Sequence, residues 1–267
     1  MTDSHMPSKA AAVHEKIRLS GERELSRDFM ALMWSAIAAG ITMSTSLIGR
    51  AVLHAYLPES GVGTLIECMG YTIGFIIVIM ANQQLFTENT VTPVLPFMSH
   101  PTLKNLGRLM RIWGVVLVGN LIGATIAAAI MAYLPVFKAP VHAAYMTIGE
   151  HMMSNTPWQM FTKGLLAGWL IATLVWVLSS IETGKPAVIF LITYLIGIAD
   201  FTHIIVGAIE AIYMVMNGVE TMSRVIFHFG LPTLMGNLLG GVCIFALISH
   251  AQVRSDMELI ERRRRQQ

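Results

Sequence analysis

Long apolar stretches are the feature of this sequence that most constrains its fold. Several stretches of about 20 residues carry almost no charge, which is the length that a helix needs to cross ~30 Å of hydrocarbon. Charged residues make up only 13% of the 267-residue chain, against about 25% in soluble domains. Because lipid cannot pair with backbone amides, such stretches must be helical. We therefore expect a polytopic, all-α membrane protein.

Six membrane spans are predicted, and two of them are interrupted by polar residues. The spans cover residues 29–56, 64–97, 109–134, 161–178, 186–216 and 225–250. The second contains Asn82-Gln83-Gln84, and the fifth is interrupted at residues 200–203. Backbone that is not helical at membrane depth must be buried in protein or line an aqueous cavity. The two breaks are therefore where we expect a functional site.

The distribution of lysine and arginine predicts the orientation of the chain. With a cytoplasmic N-terminus, 14 of the 18 Lys and Arg residues fall on the cytoplasmic side, and only Arg50, Lys138, Lys163 and Arg224 fall outside. Short cytoplasmic segments of membrane proteins are enriched in these residues. We therefore expect a multi-pass protein of the inner (cytoplasmic) membrane with both termini in the cytoplasm.

Both ends of the chain are polar. Residues 1–27 lack the apolar core of a cleavable signal peptide, and they predict a cytoplasmic amphipathic segment, either on the membrane surface or as a solvated helical arm. Residues 254–267 form a basic cytoplasmic tail, whose arginines are typical of contact with lipid headgroups rather than with nucleic acid. Cys68 and Cys243 lie in apolar runs, so we expect no disulfide framework, no metal site and no cofactor.

An internal repeat relates two halves of the predicted membrane domain, residues 28–253. Span three contains Gly119-Asn120-Leu121-Ile122-Gly123, and span six contains Gly236-Asn237-Leu238-Leu239-Gly240, at an offset of 117. Spans one and four correspond at an offset of 128, and the two breaks at an offset of 115. The two copies cover about residues 28–135 and 158–250. Because each has three spans, an odd number, the second copy must enter the membrane from the opposite side. The expected architecture is an inverted 3+3 repeat.

The two Gly-Asn-x-x-Gly segments favour a role in helix packing over contact with cargo. Small residues four positions apart let two helices approach closely, and an asparagine amide can hydrogen-bond a neighbouring backbone. The expected packing residues are Gly119, Asn120, Gly123, Gly236, Asn237 and Gly240.

The residues at the breaks favour an anionic cargo. Thr87, Glu88 and Asn89 after the first break, and Thr202 in the second, are of the types that cap helix N-termini. The half-helices that follow would then aim their partially positive N-termini at the membrane centre. His203 is an intramembrane ionisable residue and hence a candidate functional group, with a neutral structural histidine as the alternative.

Other charged residues lie near the predicted path. The carboxylates of Glu88, Asp200 and Glu210 oppose an anion unless they are protonated, paired or turned away from the path. Lys163, at the outer start of span four, would attract anions into a vestibule. A lysine that extends its charge to the membrane surface is the simpler interpretation.

At these positions the sequence resembles the formate/nitrite transporter family, and within it the YfdC-like branch. The resemblance covers about residues 28–253 and is carried by Leu85-Phe86-Thr87 with Val91-Thr92, by Phe201-x-His203 and by the two Gly-Asn-x-x-Gly segments. It implies an aquaporin-like protomer with its own pore, assembled as a homopentamer in the lipid bilayer. It also implies small monovalent anions or their conjugate weak acids as cargo, such as formate, nitrite, lactate or hydrosulfide.

The resemblance also implies roles for individual residues. His203 corresponds to the central pore histidine, Thr87 to the loop threonine that hydrogen-bonds it, and Leu85 and Phe86 to loop residues beside the constriction. Passage is expected to be proton-assisted, because neutralising the anion removes most of its desolvation cost. The other implied or candidate residues are Phe201 and Thr202 in the pore, Tyr71, Phe75 and Ile196 at an apolar constriction, and Lys163, Glu88 and Asp200 as modulating charges.

The sequence departs from the family pattern around the second break. Thr202 stands where the family has a glutamate before the histidine, and Gly207 stands where it has an asparagine four residues after it. Asp200 and Glu88 replace small or neutral residues. These departures bear on cargo specificity rather than on the fold.

Two other functions remain open on the sequence. A water or neutral-solute channel on the same scaffold would tolerate the acidic residues better, although no Asn-Pro-Ala motif occurs at either break. A membrane-embedded enzyme or sensor is disfavoured, because the sequence shows no nucleophile–base pair, zinc motif or phosphate-binding loop. We therefore expect a pore for small monovalent anions or weak acids, and not an enzyme.

Overall fold

A computed structural model describes residues 9–253 and 255, and in this part of the chain the regular structure is all helical. The first five helices are α1 (Lys9–Leu25), α2 (Phe29–Tyr56), α3 (Gly61–Met80), α4 (Val94–Ser99) and α5 (Leu103–Tyr133). The next five are α6 (Ala139–Met153), α7 (Pro157–Ser180), α8 (Lys185–Ile198), α9 (Ile204–Met216) and α10 (Met222–Val253). A 3₁₀ turn, Glu88–Thr90, precedes α4.

Within the described residues, five helices are long and apolar enough to cross a membrane, namely α2, α3, α5, α7 and α10. The predicted first span, residues 29–56, coincides with α2. The predicted fifth span is represented by two shorter apolar helices, α8 with 14 residues and α9 with 13. Each of these is about 20 Å long at ~1.5 Å per residue.

Side-chain caps define where several helices begin. The Asp28 carboxylate accepts hydrogen bonds from the amides of Met30 and Ala31 at the start of α2. Thr156 and Gln159 form a capping box at the start of α7. These side chains satisfy amides that have no partner inside the first turn.

Close approaches at glycines hold the long helices together. Gly40 of α2 lies against Asn120 and Gly123 of α5, and Gly168 of α7 lies against Asn237 of α10. A Cβ atom on either Gly40 or Gly168 would overlap the carbonyl oxygen of the facing asparagine. Helices whose backbones touch in this way gain van der Waals contact, and this contact drives helix association in lipid.

The sequence does not predict α6. Its 15 residues are too few for a span, and they include Glu150. The helix packs against α2 and α9 and buries the side chains of Tyr145 and Ile148. It therefore forms part of the wall around α9 rather than a further predicted span.

The helix α1 packs on protein. Its buried residues recur every three or four positions and form one stripe: Ala11, His14, Ile17, Gly21 and Leu25. The helix contacts α4, α5 and α7, so its buried stripe faces protein. The cytoplasmic location of residues 1–27 stays a prediction. Residues 1–8 and, apart from Ser255, the basic tail 254–267 lie outside the described residues.

Replacing Gly40 with alanine should destabilise the bundle, because the new methyl group would collide with the α5 backbone. We expect a lower thermal unfolding midpoint in detergent, equivalent to about 1–3 kcal/mol of overpacking. Gly114→Ala is the matched control. Its Cβ would meet open space, and alanine favours a helix interior by about 0.5–1 kcal/mol. Equal midpoints for the two variants would contradict the close approach of α2 and α5.

Candidate functional site

The helices α3 and α8 end in the same backbone conformation. Each is followed by a residue in the left-handed region, Asn82 with φ 52° and Asp200 with φ 53°. After each of them, the next amide bonds to the carbonyl five residues earlier, at 3.0 Å in both cases. This is a common way to end a helix, and Asn and Asp enter the left-handed region more readily than most residues.

Asn120 holds the chain that follows α3. Its Oδ1 accepts a hydrogen bond from the amide of Phe86 at 2.9 Å. Its Nδ2 donates to the carbonyls of Ala36 and Gln84, both at 2.8 Å. The buried amide of one side chain on α5 thus connects α2 to the first break.

Asn237 makes the corresponding three bonds at the second break. Its Oδ1 accepts from Ile204 N at 2.9 Å, and its Nδ2 donates to Gly164 O and Thr202 O at 2.9 and 3.0 Å. The partners of the two asparagines at the breaks are 118 residues apart, and those on α2 and α7 are 128 apart. The offset of 115 inferred for the breaks is therefore wrong, and His203 corresponds to Leu85.

His203 is buried at the second break and hydrogen-bonded through both ring nitrogens. Its Nε2 lies 2.8 Å from Thr87 Oγ1. Its Nδ1 accepts from the amides of Ile205 and Val206 at 3.3 and 3.4 Å. A nitrogen that accepts carries no proton, so the neutral ring holds its proton on Nε2 and donates it to the Thr87 hydroxyl. A second proton, on Nδ1, would force the ring away from the α9 amides.

His203, rather than Thr202, caps α9. The Thr202 hydroxyl donates to Met160 O at 2.8 Å, and Thr87 makes no capping bond to the 3₁₀ turn after it. The caps predicted at Thr202 and Thr87 are wrong because both hydroxyls have tertiary partners. The imidazole already occupies the first amides of α9. After the first break there is only a short turn and the six-residue α4. The two helix N-termini therefore provide fewer free amides and less positive charge for an anion than the sequence predicts.

An apolar layer lies against His203. The Phe75 ring meets the imidazole edge-on with centroids 5.0 Å apart, and the Tyr71 ring packs on Phe75 at 5.4 Å. The side chains of Phe75, Leu85 and Ile196 are completely buried. The layer and the His203–Thr87 pair are thus buried together at the second break.

The larger cavity, of about 490 Å³, lies at the end of the bundle where α3 ends and α8 begins. Its walls come from these two helices, from α1 and α7, and from the first break. Its polar lining includes Lys16, Ser20, Glu24, Asn82, Gln83, Gln84, Glu88, Asn89, Thr92, Ser179 and Lys185.

The smaller cavity, of about 30 Å³, lies on the other side of the apolar layer. It has room for about two water molecules. One face of α9 lines it through His203, Val206, Gly207 and Glu210, because Val206 and Gly207 each lie three or four residues from both His203 and Glu210. Along α3, Tyr71 at this cavity and Ile79 at the larger one are about 12 Å apart. The two cavities thus flank the buried histidine.

Most of the charges around the smaller cavity are paired. The Lys163 ammonium lies 2.5 Å from Asp200 Oδ2 and 2.7 Å from Asn155 Oδ1. The Arg50 guanidinium lies 3.2 Å from Glu67 Oε1. The structure thus places Lys163 in an ion pair and not free in a vestibule. Arg50 is a cavity residue that the sequence did not single out, because nothing in the chain order connects α2 to the second break.

The remaining candidates occupy different places. Phe201 and Thr202 line the smaller cavity, whereas the Phe86 ring faces Trp113 of α5 with centroids 6.5 Å apart. Gly119 and Gly123 lie against α2, and Gly236 and Gly240 lie against α7. Across residues 9–253 and 255, no group of three or more His, Cys, Asp or Glu side chains is placed to hold a metal ion.

The fold and the site define a helical membrane protein with a buried polar pair between two cavities. The model of the formate/nitrite transporter family matches residues 11–251. The chain belongs to this family, as the sequence predicts.

Individual relatives agree with this assignment. The chain is 52% identical to the inner membrane protein YfdC of Escherichia coli over 96% of this chain and 82% of that protein, which confirms the predicted branch. It is 24% identical to the formate channel FocA of Haemophilus influenzae, over 82% of this chain and 85% of the relative. Its fold resembles a solved pentameric formate channel with formate bound, with a TM-score of 0.74 at 23% identity, covering 85% of this chain and 97% of that one.

Replacing His203 with alanine should destabilise the protein, because α9 loses its cap. A lost cap costs about 1 kcal/mol, which a thermal unfolding midpoint in detergent would register. His203→Asn should recover most of this loss, because asparagine caps helices well. The bond to Thr87 stays absent in this variant, because asparagine has no counterpart of Nε2. Unchanged midpoints in both variants would contradict the capping role.

Proposed function

We propose that this protein is a pore for small monovalent anions or their conjugate weak acids, such as formate, nitrite, lactate or hydrosulfide. The proposal is carried by the His203–Thr87 pair, which lies against an apolar layer between two cavities. Burying a charge in such a layer costs far more than burying a neutral acid. Relatives named as a formate channel and a formate-nitrite transporter support this cargo class.

The proposed protomer has six spans in an inverted 3+3 repeat, with spans two and five interrupted. The matched bonds of Asn120 and Asn237 support it. The matched ends of α3 and α8 support it independently. Because three spans per copy is an odd number, the second copy would enter the membrane from the opposite side.

The proposed assembly is a homopentamer in the inner membrane with a pore in each protomer. The solved pentameric formate channel and the inner membrane relative support this assembly and location. Residues 28–253 would form one transmembrane domain between the segment 1–27 and the tail 254–267, with both ends cytoplasmic, as the lysine and arginine distribution favours. In this orientation the larger cavity opens towards the cytoplasm.

In this pore, His203 assists protonation through Thr87. The imidazole Nε2–H donates to the Thr87 oxygen, so the hydroxyl keeps its own hydrogen for another acceptor. That hydrogen is available to an oxygen atom of the cargo as it passes. His203 therefore positions and polarises Thr87 without giving up its own proton.

The cargo is tested by flux into proteoliposomes between about pH 5 and 8. We expect formate, nitrite, lactate or hydrosulfide to enter, with uptake rising as the pH falls, because protonation removes the charge before the apolar layer. Glycerol and water serve as controls for a neutral-solute channel. Glycerol flux without transport of any weak acid would overturn the proposal.

The Thr87 hydroxyl is tested with two substitutions of similar size. Thr87→Val keeps the shape of the side chain but removes the hydroxyl, so we expect weak-acid uptake to fall by about tenfold or more, the loss of one well-placed hydrogen bond. Thr87→Ser keeps the hydroxyl and should retain most of the uptake. Equal uptake by both variants would show that the hydroxyl has no part in transport.

A further inference from the structure

We propose that Glu88 and Glu210 are two proton-exchange sites, one in each cavity, which protonate the anion on one side of the apolar layer and recover the proton on the other. This inference rests on the proposed function and identifies where the proton comes from. Neither residue belongs to the His203–Thr87 pair.

The geometry of His203 leaves the source of the proton open. Its Nδ1 accepts from the Ile205 and Val206 amides, and its Nε2 is engaged with Thr87. A histidine that shuttled protons would have to leave its position as the α9 cap in each cycle. A group with a free lone pair at a cavity wall meets no such obstacle.

Glu210 is such a group at the smaller cavity. It lies seven residues after His203, on the same face of α9 and about 10 Å further along the helix. Its side chain is buried, with 5% of its surface exposed. Among the described residues, its carboxylate takes part in no hydrogen bond or ion pair, whereas those of Asp200 and Glu67 do.

The charges that face Glu210 leave it in control of the net charge of its cavity. The charged or titratable groups that share this wall are Arg50 from α2, Tyr71 from α3, and Asp200 and His203 from the second break. α6 and α8 contribute only uncharged residues to it. Arg50 is paired with Glu67, which also contacts His54, and Asp200 is paired with Lys163 and contacts His151.

With those pairs balanced, the protonation of Glu210 decides how the smaller cavity receives an anion. An ionised Glu210 adds a negative charge that repels the anion. A protonated Glu210 removes the repulsion and presents an O–H donor to the same anion. Entry of the anion and delivery of the proton are thereby linked at one side chain.

Glu88 is such a group at the larger cavity. It follows Thr87 directly in the chain, and its side chain lines the cavity wall. The other charged groups on this wall are Lys16 and Glu24 from α1 and Lys185 from α8. Glu24 is bonded to Gln84 and Arg27, whereas the Glu88 carboxylate has no hydrogen-bond or ion-pair partner in the described part of the chain.

The exchange balances in atoms and charge. The O–H bond of protonated Glu210 breaks as a new O–H bond forms on the anion, which leaves Glu210 as a carboxylate and the cargo as a neutral acid. The acid crosses the apolar layer, and its O–H bond breaks as the proton passes to the Glu88 carboxylate. Water in each cavity then restores the two glutamates. One anion and one proton cross together, and the same steps run in reverse for export.

Glu210→Gln and Glu88→Gln test the inference in the full-length chain in proteoliposomes. Labelled formate uptake and internal pH are recorded together while the pH is varied on one side at a time. We expect about tenfold lower uptake near neutral pH in each variant. The residual uptake should rise by about tenfold for each unit of external acidification, because only formic acid already formed in solution can cross. The wild type should depend less steeply on pH.

Three further variants make the result decisive. Glu59→Gln removes an exposed carboxylate near the outer end of α2 and should behave as the wild type does. Glu210→Asp and Glu88→Asp keep an exchangeable proton and should restore the shallower pH dependence. If size-exclusion chromatography shows that the glutamine variants fail to assemble, the pH dependence of uptake by the two aspartate variants tests the proposal instead.

Wild-type uptake with unchanged pH dependence in both glutamine variants would overturn the proton exchange at Glu210 and Glu88, that is, the relay, and leave the proposed pore intact. Aspartate variants that assemble but show the steep dependence would also overturn it. A wild-type protein that transports no weak acid at all would instead remove the proposed function, and the relay with it.

Discussion

Broken backbone inside a membrane protein needs hydrogen-bond partners from the protein itself, because lipid provides none. Asn120 and Asn237 supply them, each joining a break to a neighbouring helix through one accepted and two donated bonds. Such bonds are costly to lose when both partners are buried. Gly40 and Gly168 lie against these asparagines and have no side chain to keep the helices apart. The hydrogen bonds of the two amides therefore depend on the close packing of the helices.

Once the two breaks are held, the chemistry of the site follows. Thr87 and His203 are 116 residues apart in the chain, and their side-chain atoms lie 2.8 Å apart. The same imidazole caps α9 and meets the Phe75 ring edge-on. One side chain thus joins the first break, a half-length helix and the apolar layer, and it does so as a neutral donor. In the proposed proton exchange, the proton is transferred at Glu88 and Glu210 on the cavity walls.

Sequence patterns predicted an all-helical membrane protein with long apolar helices, because apolar length is a local property. Apolar length alone indicates a membrane helix, and Asn82 and Asp200 are residues that end one. Sequence patterns gave wrong hydrogen-bond partners where a side chain could bond either to its own helix or to a distant residue. Thr202 is a good cap by type, yet its hydroxyl bonds to Met160. The short helix α6 was missed because it matches neither a span nor a loop.

The sequence by itself determined the class of the protein, the family, and the pairing of Thr87 with His203 through the family resemblance. Only the tertiary structure decided the register of the two breaks, the tautomer of His203 and the pairing of Lys163 with Asp200. It also decided that, among the described residues, the carboxylates of Glu88 and Glu210 have no ion-pair partner. Those outcomes depend on atoms brought within about 3 Å by different helices. Residue type and spacing along the chain do not by themselves identify which of several distant partners a polar group will meet.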